Sequence, residues 1–309
     1  MGVLSGGNFA DLLEPGLAEI FDLAISRPAP MLTRLFGQRV STKFSESYQA
    51  MGTTGLVEVF DGTVQYDTFA GGYKTVIRNY ELAKGMVVER ALVDDDQYGE
   101  INDRARTMGD SFSNTIEHDA AQVFINAFTD SGTNRLGAST NGADGVALCS
   151  TAHPYRPSDT GNTQSNEGTL SLNLPNVDTT RQNMMNLTDD KGQLLGITPD
   201  LLLVPPELER TGFQIVSARA NMEPDSAEFN VNIFAGQLQM AVWNRLTDAN
   251  AWWLIDSRAM ANQLIFQWRI RPEFATGADF DGIQAKYRGY MRYGIGWKDW
   301  KFIFGQNPS

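Results

Sequence analysis

Cysteine and histidine are nearly absent from this chain, which excludes several kinds of protein. Cys149 is the one cysteine among 309 residues, so the chain cannot form an internal disulfide. A disulfide-stabilised secreted scaffold is therefore excluded, and folding inside a cell is expected. The two histidines, His118 and His153, are far apart in sequence and do not form the i, i+4 pair that binds zinc on a helix.

Long apolar runs and an excess of positive charge are also absent. The longest apolar runs, Leu201–Val204 and Ala251–Ile255, are too short to span a bilayer, and the N-terminus lacks the pattern of a signal peptide. The sequence therefore predicts a soluble protein made in a cytoplasm. Because 37 acidic residues outnumber 25 basic ones, the composition argues against a protein that wraps nucleic acid through phosphate contacts. The charge is compatible with a negatively charged protein that encloses DNA without binding it.

Residues 1–45 have the pattern of an arm with little core of its own. Breaks are predicted at Glu14-Pro15 and at the Arg-Pro-Ala-Pro segment 27–30. Between the two breaks, four apolar residues allow one or two amphipathic turns: Leu17, Ile20, Phe21 and Ala24. So short a segment needs another surface to cover its apolar side, and a partner is expected.

Residues 45–93 have the alternation that is typical of β-strands. The runs Gly55–Phe60 and Thr63–Phe69 flank Asp61-Gly62, and Asp-Gly between alternating runs predicts a β-hairpin. Another strand is predicted over Lys74–Tyr80. No helix flanks the hairpin closely enough to cover it, and an isolated hairpin is at best marginally stable in water. We expect it to project and to pack on a neighbouring subunit.

The clearest element of the sequence is a long amphipathic helix over about residues 97–128. No proline interrupts it, and Asp94–Asp96 precede it, where negative charge is favoured by the helix dipole. About 30 residues correspond to a rod of roughly 45 Å. Its apolar positions recur at steps of three and four residues: Ile101, Ala105, Met108, Phe112, Ile116, Ala120, Val123 and Ala127.

Beyond this helix, loops and short elements alternate. Residues 130–145 and 157–168 are rich in Gly, Asn, Ser and Thr and are predicted as loops. A helix is predicted over 177–188, and a buried strand at Leu201–Val204, after which Pro205-Pro206 precede another helix. Further strands are predicted at 238–244, 252–256, 263–271, 286–295 and 298–304.

The order of these elements resembles the major capsid protein of tailed double-stranded-DNA phages, whose fold is named after phage Hong Kong 97. Three local segments are similar to segments of that family: Leu203–Glu209, Cys149–Pro154 and Arg292–Trp300. The resemblance extends over essentially the whole chain. It depends on the ensemble of elements and their order, since no single motif is diagnostic.

The resemblance implies an α+β fold with an N-terminal arm, an extended β-hairpin loop, a long spine helix in a peripheral domain, and an inserted axial α/β domain. The corresponding ranges are 1–45 for the arm, 46–85 for the extended loop, 86–135 with 257–292 for the peripheral domain, and 136–256 with 293–309 for the axial domain. It further implies pentamers and hexamers that form an icosahedral shell around phage DNA, with the protein in the virion after assembly in the host cytoplasm.

The implied partners are copies of the chain itself, a portal protein and a decoration protein. Because the arm begins almost at Met1, a separate scaffolding protein or an already trimmed chain is expected. Lys74 lies on the predicted extended loop, but no matching partner identifies it as a cross-linking lysine, so that family reaction is not transferred. Gly52, Gly55, Gly71 and Gly72 are expected to act as flexible joints. No membrane contact and no sequence-specific DNA binding are expected.

Few residues are candidates for catalysis or ligand binding, and a structural role is favoured for each of them. Cys149 and His153 are four residues apart and would suggest a thiol hydrolase, but they lack a family signature. His118 is expected at a helix surface or an interface, and Asp94–Asp96 match no calcium loop. Packing explains the tryptophans best: Trp243, Trp252, Trp253, Trp268, Trp297 and Trp300. No catalytic, cofactor-binding or metal-binding residue is predicted. The alternatives to a phage shell are an encapsulin-like cellular compartment and, less favoured, the hydrolase.

Overall fold

Helices and strands both contribute to the fold, as the α+β prediction requires. The computed structural model describes residues 6–25, 30–57, 71–89, 98–217, 234–279 and 284–308, together with the single positions 59, 60, 62, 64, 66 and 91. The predicted acidic cluster Asp94–Asp96 lies outside these residues.

Six α-helices are described: α1 Gly6–Ile25, α2 Pro30–Leu35, α3 Tyr98–Ile125, α4 Leu174–Met185, α5 Glu209–Ser217 and α6 Ser257–Gln263. A turn of 3-10 helix, Pro206–Leu208, precedes α5. Side-chain caps determine where two helices begin. The Asn173 side chain accepts a hydrogen bond from the Asn176 N–H at the start of α4, and Asp256 accepts one from the Ala259 N–H at the start of α6.

Thirteen strands are described: β1 Gly37–Val40, β2 Ser45–Met51, β3 Gly71–Arg78, β4 Tyr80–Glu89, β5 His153–Arg156, β6 Asp159–Gln164, β7 Glu167–Gly168, β8 Leu201–Val204, β9 Gln239–Val242, β10 Trp252–Ile255, β11 Leu264–Asp279, β12 Gln284–Trp297 and β13 Ile303–Gln306. They form two larger sheets and two two-stranded ribbons, β2–β3 and β5–β6.

The first larger sheet, here the peripheral sheet, has the strand order β1-β11-β12-β4. Helices α1 and α3 pack on one of its faces. Gly289 of β12 permits this close approach, because a Cβ atom there would lie 2.6 Å from the Phe112 ring of α3. The second, here the insertion sheet, has the order β7-β13-β10-β8-β9. Its strands β8, β10 and β13 are buried along their whole length.

The long helix is confirmed as α3, and its predicted apolar face is the buried one. Every predicted position on that face is buried except Val123, which is half-buried. Near its C-terminal end, Phe124 contacts Trp243 and Trp253 edge-on, at ring-centroid distances of 5.8 and 5.9 Å. Because Trp253 belongs to β10, α3 joins the peripheral sheet to the insertion sheet through one continuous core.

The prediction that the arm needs a partner for its apolar side is wrong. Helix α1 continues through Pro15, and α3 and β11 of the same chain cover its apolar face. Phe21 is fully buried between Phe112 and Phe274, at ring-centroid distances of 5.5 and 5.2 Å. The exposed proline costs one helical hydrogen bond, and the burial of Leu17 and Phe21 offsets that loss.

The predicted hairpin strands at Gly55–Phe60 and Thr63–Phe69 are also wrong for the described residues, which lie outside any strand. The ribbon is instead formed by β2 and β3, so the predicted strand Lys74–Tyr80 largely coincides with β3. A strand exists only through its pairing, and the alternating pattern does not reveal whether a neighbour is present. Gly72 is no flexible joint, since it lies in β3, where a Cβ atom would be 2.8 Å from the Ala50 carbonyl oxygen.

Several later predictions are confirmed, and three need correction. The strand predicted over 298–304 begins only at Ile303 and ends at Gln306. The buried strand Leu201–Val204, the helix after Pro206 and the strands near 239, 252, 264 and 284 are all present. The helix predicted over 177–188 begins earlier, at Leu174, because Asn173 caps it. Residues 157–168, predicted as a loop, contain β6 and β7, whose polar residues pair through the backbone and carry little hydrophobic pattern.

Candidate assembly surface

The segment between β2 and β3, residues 52–70, presents a concentration of uncovered apolar side chains. We call it the loop tip. Its described apolar residues, with the adjoining Met51, are between 59% and 99% exposed: Met51, Leu56, Val57, Val59, Phe60, Val64 and Tyr66. Single exposed apolar residues are ordinary, but contiguous apolar surface marks a site of interaction. The loop tip is therefore the candidate assembly surface of the chain.

The base of the loop tip is attached to the turn Asp189–Gly192, next to Thr188, whose hydrogen bonds are to the β5–β6 ribbon. The Thr53 hydroxyl lies 2.8 Å from Asp189 Oδ2 and 2.6 Å from Asp190 Oδ1, so its single proton is available to either carboxylate. The Thr53 N–H also donates to Asp190 Oδ1, at 3.0 Å. Arg156 extends the cluster, with its Nη1 3.6 Å from Asp190 Oδ2. These contacts orient the loop tip relative to the rest of the chain.

The same contacts keep both carboxyl groups ionised. Burial raises the pKa of Asp189, but hydrogen bonds from the Gln193 N–H, the Thr53 hydroxyl and the Lys191 N–H lower it, and the net shift is downward. Burial likewise raises the pKa of Asp190, but the two hydrogen bonds from Thr53, a backbone N–H and the charge of Arg156 together lower it, and the net shift is downward. Since both folded-state values lie below the ordinary 3.8, the attachment is fully present above that pH and is lost as the pH falls below it.

Replacing the hydroxyl in Thr53→Val is expected to loosen the base of the loop tip without unfolding the protein. A hydrogen bond contributes about 1 kcal/mol, so local opening should become roughly fivefold more frequent. Hydrogen exchange over residues 50–57 at pH 7 measures this change. Thr54→Val is the matched control, because Thr54 makes no hydrogen bond to either carboxylate in the described structure. Equal exchange in the two variants would contradict the attachment.

A second buried cluster connects α3 to the peripheral sheet and to the loop that follows the helix. Asp119 accepts a hydrogen bond from the Tyr293 hydroxyl at 2.6 Å and a bidentate pair of bonds from Arg135, at 3.0 and 2.6 Å. Burial raises the pKa of Tyr293, and the charge of Asp119 raises it further. The phenol therefore stays protonated as the donor. The cluster fixes α3 where the peripheral sheet and the 130–145 loop meet.

The structure does not combine Cys149 and His153 into a catalytic pair. The two ring nitrogens of His153 lie 2.6 Å from Asp144 Oδ2 and 3.0 Å from Asn166 Oδ1, and the ring stacks on Trp300 at 4.1 Å. Both nitrogens thus have partners other than the thiol. Burial raises the pKa of Cys149 well above its ordinary value, which disfavours the thiolate that acts as nucleophile. Both residues belong to the packed interior.

The other candidates occupy structural positions. His118 lies on the half-exposed side of α3, 3.2 Å from Asp119 and 3.4 Å from Gln122. Five tryptophans are buried and Trp297 is half-buried, as packing predicts. Among the residues that the structure describes, no three His, Cys, Asp or Glu side chains are grouped to bind a metal ion. No helix in the described ranges has the length and apolar content needed to cross a membrane.

The fold is shared with solved phage capsids. The bacteriophage JBD30 capsid is similar over 72% of this chain and 93% of that chain, with a TM-score of 0.54 and 15% identity. The capsid of the cyanophage P-SCSP1u is similar over 90% and 88%, with a TM-score of 0.56 and 13% identity. A virus-like particle from Pyrococcus furiosus is similar over 95% and 98%, with a TM-score of 0.52 and 12% identity. These likenesses establish the Hong Kong 97-type fold.

The family follows from the sequence profile of the phage capsid proteins, which matches residues 73–305. The chain belongs to the phage capsid protein family. It is thus a shell protein located in the virion, and the family match favours the phage shell over the cellular compartment and the hydrolase. No curated protein shows significant sequence similarity to the chain.

Sequence reasoning missed the attachment of the loop tip. Thr53 is 136 residues from Asp189 in the chain, and neither residue stands out by type or spacing. One local signal was present in the sequence Asp189-Asp190-Lys191-Gly192, which has the composition of a turn. It predicts the turn, in which Gly192 has a positive φ of 81°, but not the partner.

Proposed function

We propose that the chain is the major capsid protein of a tailed double-stranded-DNA phage, and that its copies form the pentamers and hexamers of an icosahedral shell. The exposed apolar loop tip carries this proposal. In a member of the phage capsid protein family, such a segment fits burial against neighbouring copies of the same chain. Each such contact is modest, and their repetition around the shell adds up through multivalency.

We keep the four-part division of the chain as part of the proposal: the arm 1–45, the extended loop 46–85, the peripheral domain 86–135 with 257–292, and the axial domain 136–256 with 293–309. The proposal is supported by the two separate larger sheets. Strands β8, β9 and β10 of the insertion sheet fall between the two peripheral segments in sequence, and β13 follows them. Helix α3, strand β11 and the part of β12 up to Arg292 lie in the proposed peripheral domain.

Copies of the chain are the principal partners in this proposal. A separate scaffolding protein, a portal protein and a decoration protein are the further partners we propose from the family resemblance. The shell would enclose DNA without sequence-specific binding, which suits a net charge of −12. We assign no catalytic, cofactor-binding or metal-binding role to any residue, because both ring nitrogens of His153 have partners in the packed interior and Cys149 is buried.

Negative-stain electron microscopy of the purified chain tests the proposal. Discrete polyhedral particles are expected, either from the chain alone or after coexpression with the other head proteins of its phage. A chain that stays monomeric under both conditions would contradict the shell function. Particle diameter and the number of subunits per particle then give the shell geometry.

A further inference from the structure

His153, the first residue of β5, is a fully buried histidine with a polar partner at each ring nitrogen. Its Nδ1 lies 2.6 Å from Asp144 Oδ2 in the loop after α3, and its Nε2 lies 3.0 Å from Asn166 Oδ1 beside β7. We call these two contacts the His153 latch. Because an unpaired buried nitrogen is costly, the two partners determine which ring nitrogens carry protons.

The orientation of the Asn166 amide requires a proton on Nε2 of His153. The Asn166 Nδ2 group donates to the carbonyl oxygens of Leu148 and Ile303, at 2.9 and 3.1 Å. Its Oδ1 accepts from the Ser150 N–H at 2.9 Å. The reverse orientation would place the NH2 group against that N–H and the oxygen against two carbonyl oxygens. Oδ1 therefore faces the ring, and Nε2 has to be a donor.

The contact with Asp144 requires a proton on the other side of the ring. At 2.6 Å, Nδ1 and Oδ2 cannot both present lone pairs to each other, so one proton lies between them. When Asp144 is a carboxylate, this proton belongs to Nδ1 and the ring is a cation. The ring also stacks on Trp300, with centroids 4.1 Å apart and planes inclined by 16°, and an aromatic face favours a cation.

The groups around the ring are mainly acidic, which also favours a positive charge there. Burial raises the pKa of Glu167 in β7, the charge of Asp130 raises it further, and the positive charge of His153 acts against both. Lys301 lies over the Trp300 ring but is paired with Asp299, at 2.8 Å. The other charged or titratable groups on the surrounding elements are Tyr73, Cys149, Arg156 and Lys298.

The latch joins three segments beneath the base of the loop tip. Asp144 belongs to the loop that follows α3, Asn166 precedes β7, and Trp300 precedes β13. Asp144 and Trp300 also line a pocket whose other side is formed by residues 50–53 at the base of the loop tip. Opening of the latch would therefore loosen the part of the chain on which this base lies.

We propose that His153 is doubly protonated and positively charged at neutral pH, and that loss of its second proton at alkaline pH releases the loop 130–147. Without that proton, Nδ1 presents a lone pair to the Asp144 carboxylate, and the contact becomes repulsive. A free histidine gives up this proton near pH 6.5, about the value expected for the opened latch. The stabilisation is therefore complete below about pH 6.5 and falls as the pH rises above it. The inference concerns the folded subunit and does not depend on the shell function.

NMR spectroscopy of unassembled subunits labelled with ¹⁵N-histidine tests the protonation state directly. At pH 7.5, His153 is expected to show two ring nitrogens that both carry protons. Its signals are assigned by their loss in His153→Gln. An unprotonated Nδ1 at this pH would mean a neutral ring and would overturn the proposal.

Asp144→Asn gives a second test, because the new amide supplies a neutral ring with a donor. Nε2 would still donate to Asn166, and Nδ1 would accept from the new NH2 group, so the latch closes without a second proton. Hydrogen exchange of residues 141–148 between pH 6 and 9, corrected for the intrinsic effect of pH, measures local opening. In the wild-type chain, opening is expected to rise up to about tenfold per pH unit above about pH 6.5. In Asp144→Asn it is expected to stay nearly constant.

His118→Gln is the matched control, because it removes the other histidine of the chain, which is 46% exposed on α3. This variant is expected to keep the pH dependence of the wild-type chain. The same rise in the wild-type chain and in Asp144→Asn would contradict the latch, as would a rise that disappears in His118→Gln. If Asp144→Asn does not fold, the wild-type chain still decides the matter, since opening that is independent of pH there overturns the proposal.

Discussion

Removing residues 56–69 is expected to leave a folded subunit that no longer closes into shells. The described side chains in this segment are exposed, so their removal takes nothing from the core. Five of the nineteen residues between Met51 and Gly71 remain, enough to connect β2 and β3 as a hairpin loop. The attachment through Thr53 also remains. Thermal stability should therefore change little, while assembly should fall below detection.

The loss of assembly follows from repetition of one contact. Burying one large apolar side chain contributes about 1.5–3 kcal/mol, and the loop tip supplies several of them in every copy. Light scattering after size-exclusion chromatography and negative-stain microscopy measure the change, and circular dichroism checks the fold. Particles of normal size from the deletion variant would show that the loop tip is not an assembly surface.

A length-matched control separates the apolar content of the loop tip from its length. Replacing residues 56–69 with a Gly-Ser segment of equal length should also prevent assembly, because the span is kept and the apolar side chains are lost. Conversely, Leu194→Ser and Phe213→Ser remove exposed apolar groups elsewhere, at 67% and 59% exposure, and are expected to leave shells intact. Shell formation by the Gly-Ser variant would mean that assembly depends on the length of the loop tip and not on its apolar side chains.

The part of the fold that could be predicted is the part specified by local periodicity. The recurrence of Ile101, Met108 and Phe112 at helical spacing places one face of α3 in the core whatever packs on it. Leu201–Val204, an apolar run that ends at a proline, likewise has to be a buried strand. In both cases the apolar residues and the signals that end the element are neighbours in sequence.

What could not be predicted depends on distant parts of the chain. The apolar face of α1 looked unpartnered because the residues that cover it, such as Phe112 and Phe274, come about 90 and 250 positions later. The loop tip is the opposite case, since its described residues have a strong strand pattern but pair with no strand in the part of the chain that the structure describes. A local sequence pattern shows whether a segment tends to be buried or extended. Only the tertiary structure shows which other surface packs against that segment.

Trp253→Ala is expected to destabilise the folded subunit more than any other single truncation considered for this chain, by about 3–5 kcal/mol. Trp253 is 1% exposed and stacks on Phe128 at 5.8 Å, with Phe124 edge-on at 5.9 Å. Since β10 lies between β8 and β13, the cavity would open at the centre of the insertion sheet, beneath the C-terminal end of α3. Packed secondary structure on both sides limits how far the site can collapse.

Urea denaturation of unassembled subunits measures this effect as a fall in the midpoint at constant slope. Trp253→Phe, which keeps an aromatic ring against Phe128, should lose clearly less, and Phe213→Ala at an exposed position should lose at most about 0.5 kcal/mol. A loss below about 1 kcal/mol for Trp253→Ala would contradict the single core that joins α3 to the insertion sheet.

The yield of shells at lower temperature distinguishes the defect of Trp253→Ala from that of the deletion of residues 56–69. Trp253→Ala is expected to reduce the yield of shells because fewer subunits are folded, so a lower temperature or a stabilising osmolyte should restore assembly in part. The deletion of residues 56–69 should respond to neither treatment, because its subunits are folded and lack the contact surface. Two variants with the same failure to assemble would then be assigned to different causes: loss of the core that positions α3, and loss of the exposed apolar loop tip.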